Sequence, residues 1–143
     1  MKIHLASDHA GWEYKEAIRN ILQNNHEVVD HTPQFVPDDD YPDTITPAVR
    51  AITDDDVAIV FGGSGTGEAI VANRFSNARA VVYAGQDTDF IRVARTHNNA
   101  NILSIGARFV SLAEASAAVE IFLRTDFPGE DRHLRRVQKL ANL

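Results

Sequence analysis

Apolar and polar positions change rhythm repeatedly along the chain, and each change marks an element boundary. Lys2–Ser7 (KIHLAS) reads as a strand, while Gly11–Gln23 sets Trp12, Tyr14, Ala17, Ile18, Ile21 and Leu22 on roughly one helical stripe. His26–Asp30 (HEVVD) predicts a second strand. A polar, proline-containing loop over His31–Tyr41 leads to a helix opening near Pro42 and running to about Thr53. Asp56–Phe61 (DVAIVF) is almost continuously apolar, as a parallel strand covered on both faces must be. A glycine-dense loop and a helix over Gly67–Phe75 follow it. The pattern then repeats, with a strand over Arg79–Ala84, a helix over Asp87–Asn98 capped by Asp87 or Thr88, and a strand over Ile102–Ile105. Ser111-Leu112-Ala113-Glu114 is a capping box that starts a helix to about Arg124. A basic helix over Glu130–Ala141 ends the chain.

Five strands alternating with helices through right-handed crossovers predict an α/β fold, a Rossmann-like, doubly wound parallel sheet in three α/β/α layers. With the flavodoxin-like strand order 2-1-3-4-5, the chain reverses its winding between strands one and three, and ligands belong outside the carboxyl ends of those strands. Two loops emerge there, Ser7-Asp8-His9-Ala10-Gly11 and the glycine loop after Phe61. No linker, repeat or low-complexity tract interrupts the pattern. One domain is therefore expected over residues 1–143, including the basic helix at about 130–141, and a chain of this length buries about 70% of its unfolded surface.

Charge narrows the possible partners. Fourteen Lys and Arg stand against 20 Asp and Glu, for a net charge of −6. Such a chain, without a long basic tract, is a poor binder of nucleic acid or anionic membrane, so any phosphorylated ligand must meet locally gathered cations. Arg124, Arg132, Arg135, Arg136 and Lys139 gather near the C-terminus, whereas Asp38, Asp39, Asp40 and Asp43 crowd one early loop. The chain has no cysteine, which excludes disulfides and thiolate chemistry. It also lacks a signal-peptide core and any apolar run of about 18 residues, so a cytoplasmic setting is expected.

The glycine loop FGGSGTGE (61–68) carries the most pointed chemistry. It fails the dinucleotide fingerprint, since Glu68 or Ile70 falls at the final glycine position. It matches a P-loop from Gly62 to Gly67 and then breaks, because Glu68 and Ala69 replace the Lys and the Mg²⁺-binding hydroxyl. Two readings stay open on the residues alone. The glycines make a tight turn and Glu68 complements a helix dipole, or the loop N–H groups stabilise an oxyanion while Glu68 acts as a base beside it. The histidines form no zinc-binding spacing, and no metal or other cofactor is expected.

The segments SDHAG (7–11), DYPD (40–43), GGSGTGEAIVANR (62–74), ARTHNNANILSIGAR (94–108) and DRHLRR (131–136) resemble, in order and spacing, the ribose-5-phosphate isomerase B family. That family also contains galactose-6-phosphate and allose-6-phosphate isomerases. The resemblance covers essentially the whole chain. It implies a metal-independent aldose–ketose isomerase acting through an enediolate, most simply on ribose 5-phosphate. It also implies a homodimer with active sites shared across the interface, in which dimers can pair further into tetramers. Many family members use a cysteine base where this chain has Gly62. The chain resembles instead the subgroup with a glutamate base, which Glu68 matches.

By this resemblance Glu68 shuttles the proton, while Ser64 and the N–H groups of Gly65, Thr66 and Gly67, with Gly63 lining the site, bind the enediolate oxygens. Asp8 meets sugar hydroxyls, His9 lies near the phosphate, and Tyr41 lines the substrate. His97 opens the sugar ring and Asn98 holds oxygens. Arg108, Arg132 and Arg136 bind the phosphate, the last two sharing one helical face at i, i+4. The resemblance brings His97, Asn98 and Arg108 in from the partner subunit. Two alternatives stand beside it: the same chemistry on allose 6-phosphate, galactose 6-phosphate or a tetrulose phosphate, with the loop His31–Asp40 setting pocket length, and a non-catalytic sugar-phosphate-binding module.

Overall fold

In the computed structural model, which describes residues 1–143, the strands are β1 (Lys2–Ser7), β2 (Glu27–Asp30), β3 (Val57–Gly62), β4 (Ala80–Tyr83) and β5 (Ile102–Gly106). The helices are α1 (Trp12–Leu22), α2 (Tyr41–Ala51), α3 (Thr66–Ala72), α4 (Asp89–Asn98), α5 (Leu112–Arg124) and α6 (Asp131–Leu140). All strand pairs are parallel. Side chains alternate between the faces of the sheet. Ile3, Leu5, Ile59, Phe61, Leu103 and Ile105 pack with α1, α4 and α5 on one face, and Ala6, Ala58, Val60 and Ile102 pack with α2 and α3 on the other. Burial on both faces explains why β3 and β5 read as unbroken apolar runs.

The doubly wound sheet is as expected, with one difference. The strand order is β2-β1-β3-β5-β4, so the last two strands stand exchanged relative to the expected 2-1-3-4-5. Every residue of β5 is buried, whereas three of the four in β4 remain partly exposed, which suits β5 to the interior and β4 to the edge. Small residues on β5 also let the glycine loop close over it. Ser104 Oγ donates to the Gly65 carbonyl at 2.6 Å, and a Cβ at Gly106 would meet Ser64 backbone at 2.5 Å. Local patterning fixes that a strand exists; the fit between loop and neighbour decides where it lies.

Helix boundaries match the sequence expectations to within a few residues. The capping box holds, with the Glu114 N–H donating to Ser111 Oγ at 3.1 Å and the Ser111 N–H donating to the Glu114 carboxylate at 2.7 Å. Thr88 occupies the N-cap of α4 without a side-chain cap, and Asp87 Oδ1 accepts the Asp89 N–H at 2.9 Å. No helix is long and apolar enough to cross a membrane.

Candidate active site

The winding reverses between β1 and β3, and the exchange of β4 and β5 sets β5 directly beside β3. The loops after β1, β3 and β5 therefore meet at one edge of the sheet. The Asp8 N–H donates to the Phe61 carbonyl at 3.2 Å, joining the first two loops. The Ala107 and Arg108 N–H groups donate to the Gly62 and Gly63 carbonyls at 2.9 and 3.0 Å, joining the second and third. Glycine at 65 answers a real constraint, because its φ is +76° and a Cβ would sit 3.0 Å from the Gly106 nitrogen.

Glu68 rises from the first turn of α3 and folds back onto the end of β3. A Cβ built at Gly62 would overlap its carboxyl group. The carboxyl thus fills the space that a side chain at position 62 would take. It is 3% exposed. Burial, above all, pushes its pKa up, and the nearby Asp8 carboxyl adds to the shift. A carboxylate whose pKa burial raises is a stronger base than an exposed one, which favours a role in proton abstraction. It is also a stability cost. An unfolded chain ionises Glu68 at the ordinary glutamate value while the folded chain resists, so stability falls as pH rises through that window and stays lower above it. Glu68→Gln is therefore expected to raise the thermal midpoint at pH 7 by roughly 2–4 °C. A lower midpoint in a melting curve would show that the carboxylate stabilises the fold instead.

Around this carboxyl group the loop offers hydrogen-bond donors. Ser64 Oγ and Thr66 Oγ1 lie 2.6 Å apart, and the Thr66 N–H reaches Ser64 Oγ at 3.2 Å. The N–H groups of Ser64, Gly65 and Gly67 donate to no backbone oxygen. The Tyr41 ring lies against Gly67, where a Cβ would meet it at 2.9 Å, and the Arg108 guanidinium lies 3.2 Å from the same construction at Gly63. Asp8 does not cap α1, whose N-cap is Gly11. Its Oδ1 accepts the N–H groups of Ala10 and Gly11 at 2.9 and 3.0 Å and so shapes the SDHAG turn. No group of three or more His, Asp or Glu side chains is arranged to hold a metal ion.

His97, Asn98, Arg132 and Arg136 are not part of this constellation. Helix α4 runs antiparallel to the strands, so His97 and Asn98 at its end lie beside the start of β5, one strand length away, roughly 17 Å for six residues of β3. Helix α6 packs on α4 there, and the His97 and His133 rings stack at 4.2 Å and 12°. His133 is the one buried residue of α6, so it anchors the helix that carries Arg132 and Arg136. All four separated residues are exposed. This corrects the expected division in one respect. Arg108 lies with Glu68, against Gly63 of its own chain, and it is Arg132 and Arg136 that go with His97 and Asn98. The exchanged strand order is the reason, since it carries the end of β5 next to the glycine loop.

A model of the ribose/galactose isomerase family matches residues 3–140. The chain belongs to that family. Among the relatives of this isomerase family member, ribose-5-phosphate isomerase B of Mycolicibacterium paratuberculosis is 41% identical over 99% of this chain and 90% of its own. A crystal structure of a Thermotoga maritima ribose 5-phosphate isomerase is 39% identical, with a TM-score of 0.90, covering 99% of this chain and 98% of that one. The Mycoplasma genitalium ribose-5-phosphate isomerase B, solved with bound ribulose-5-phosphate, is 33% identical, with a TM-score of 0.88 over 99% of this chain and 94% of that one.

Sequence reasoning did not single out three residues that touch the candidate site residues: Ser104, which donates to the Gly65 carbonyl, His133, stacked on His97, and Asp39, which bonds His9. Ser104 and His133 stand inside the quoted segments, yet only the fold shows what they touch.

Proposed function

We propose that the protein is an aldose–ketose isomerase that interconverts ribose 5-phosphate and ribulose 5-phosphate through an enediolate. The buried Glu68 carboxyl, seated against Gly62 with unpaired loop N–H groups beside it, carries the proposal. His97 protonates the furanose ring oxygen as its bond to C1 breaks, the C1 hydroxyl releases a proton that returns to His97 through water, and the ring opens to the aldehyde. Glu68 takes the C2 proton, and the electron pair moves onto the C1 oxygen, where the loop N–H groups and Ser64 stabilise the negative charge. A proton passes from O2 to O1, Glu68 returns its proton to C1, and the C2 ketone forms. Asp8 and Asn98 hold sugar oxygens, Tyr41 lines the pocket, and His9, Arg108, Arg132 and Arg136 hold the phosphate.

The proton balance closes without a metal or redox cofactor. Because His97 and Glu68 belong to separated half-sites, two copies related by a twofold axis complete two sites, each copy lending one half to the other. Exposed apolar side chains flank both halves, Ile70 and Phe109 near Glu68 and Phe90 and Val93 on α4, as a covered interface requires. A groove of about 850 Å³ between α1 and α5 contains none of the proposed site residues, and a second of about 500 Å³ contains only Asn98, as suits a site divided between two copies. Two such dimers could pair into a tetramer, which sedimentation would reveal. We place the enzyme in the cytoplasm, on the strength of its cysteine-free composition and its class of substrate.

Kinetics on four- to six-carbon aldose and ketose phosphates test the substrate. The highest kcat/KM is expected for ribose 5-phosphate, and a higher value for allose 6-phosphate or galactose 6-phosphate would reassign it. The ring-opening role is separable from proton transfer. Ribulose 5-phosphate, with its C5 hydroxyl blocked, has no furanose to open. His97→Asn is expected to lower turnover of ribose 5-phosphate by about 10²–10³-fold while exchange of a C1 proton of ribulose 5-phosphate with solvent continues. Equal loss of both activities would remove His97 from ring opening.

A further inference from the structure

The acidic stretch Asp38-Asp39-Asp40 sits oddly beside a pocket that must receive a phosphate, yet one of these carboxylates is turned onto a cation. Asp39 Oδ1 accepts the His9 backbone N–H at 2.8 Å and lies 3.0 Å from His9 Nδ1. With Nδ1–H committed to Asp39, Nε2 is the free nitrogen of the ring. The Asp39 side chain is 14% exposed and that of His9 33%, so the pair is sheltered while the ring keeps an open side.

The approach of Asp39 is built into the backbone. Asp38, immediately before it, has φ +53°, one of two non-glycine residues with positive φ. Aspartate tolerates that region better than most residues, and a conformation of this kind persists only when its surroundings hold it. Here the loop is pinned along its length. Fully buried Lys15 grips Asp30 at 2.8 and 3.0 Å and the Thr32 carbonyl at 2.6 Å, Thr32 Oγ1 accepts the Ser7 N–H at 3.0 Å, and Trp12 meets Phe35 edge-on at 5.6 Å.

We infer that Asp39 is a positioning residue of the isomerase reaction, fixing the His9 ring and keeping it a cation so that Nε2–H makes a charged hydrogen bond to the substrate phosphate. The inference rests on the isomerase reading above and adds to it a residue that never touches substrate. The charged groups facing His9 are Asp39 and Asp38 on the loop opposite and Asp8 on its own loop. All three favour the protonated ring, the Asp39 hydrogen bond most strongly. The sign follows. A raised imidazole pKa keeps the cation until higher pH, and removing the Asp39 charge releases the proton sooner.

Histidine NMR titration on the intact protein, with the His9 signal identified by its loss in His9→Gln, reads this directly. In the wild type the His9 midpoint is expected above 6.5, and in Asp39→Asn, which keeps an acceptor for both N–H groups, it is expected to fall by about one unit. The KM for ribose 5-phosphate should then rise about 10-fold at pH 8 and less than about 2-fold at pH 5.5, with kcat changing less than KM. A wild-type midpoint at or below 6.5, a midpoint unmoved by Asp39→Asn, or a KM raised equally at both pH values overturns the inference. If Asp39→Asn does not fold, the wild-type midpoint alone decides. The titration needs no turnover, so an inactive wild type would count against the isomerase reading and leave the Asp39–His9 test standing.

Discussion

Glu68→Gln is expected to lower kcat for ribose 5-phosphate by at least about 10³-fold while leaving substrate affinity within about 2-fold. The substitution keeps the side chain's shape in its seat against Gly62 and removes only the basic oxygen, and no residue assigned to the phosphate is touched. For the proposed base the active form is the carboxylate, and burial raises its pKa. The acid limb of kcat/KM in the wild type should therefore lie above the ordinary glutamate range, activity falling as pH drops through the raised value. Steady-state rates across pH, with inorganic phosphate as a competitive probe of the phosphate site, measure both. An acid limb at the ordinary carboxylate value would mean that Glu68 is hydrated in the working enzyme and that its burial in one chain does not survive assembly.

The separation of the half-sites leads to an equally large effect of the opposite sign. Glu68→Gln and His97→Asn chains, each strongly impaired on ribose 5-phosphate alone, are expected to recover about a quarter of wild-type activity when refolded together in equal amounts. Half of the resulting dimers then pair unlike chains, and each of these holds one intact site of two. Arg136→Ala should complement Glu68→Gln in the same way, because α6 travels with α4. Arg108→Ala should not, because Arg108 lies against the glycine loop that carries Glu68. Absence of recovery with His97→Asn, in mixtures shown by mass to contain mixed dimers, would place both residues in one chain's site.

These two experiments separate what the sequence makes legible from what only the fold supplies. Alternating strand and helix rhythms identify all eleven elements, because burial of both faces of a parallel sheet leaves unbroken apolar runs such as Val57–Phe61. The winding reversal between β1 and β3 is legible too, and with it the meeting of Asp8 and Glu68. The order of β4 and β5 is not, since AVVY and ILSIG serve equally well as strands, and their places depend on Ser104 and Gly106 receiving the glycine loop. That one exchange moves Arg108 to the Glu68 side. Quoted motifs do not reveal which edge of the sheet their residues occupy, so the resemblance groups Arg108 with His97 and Asn98, and only the fold lays Arg108 against the glycine loop. Asp39 was visible only as one charge in an acidic run. Its turn onto His9 depends on the left-handed Asp38 backbone, which no periodicity signals.

Proton exchange tests the central claim most directly. Ribulose 5-phosphate is incubated in D₂O with the wild type or Glu68→Gln and followed by proton NMR at C1. The wild type is expected to replace one C1 proton with deuterium as it turns over, and Glu68→Gln is expected to leave both C1 protons in place while still binding the sugar phosphate. Deuterium entering C1 at near wild-type rate with Glu68→Gln would show that another group moves the proton, and the assignment of Glu68 as the base would be wrong.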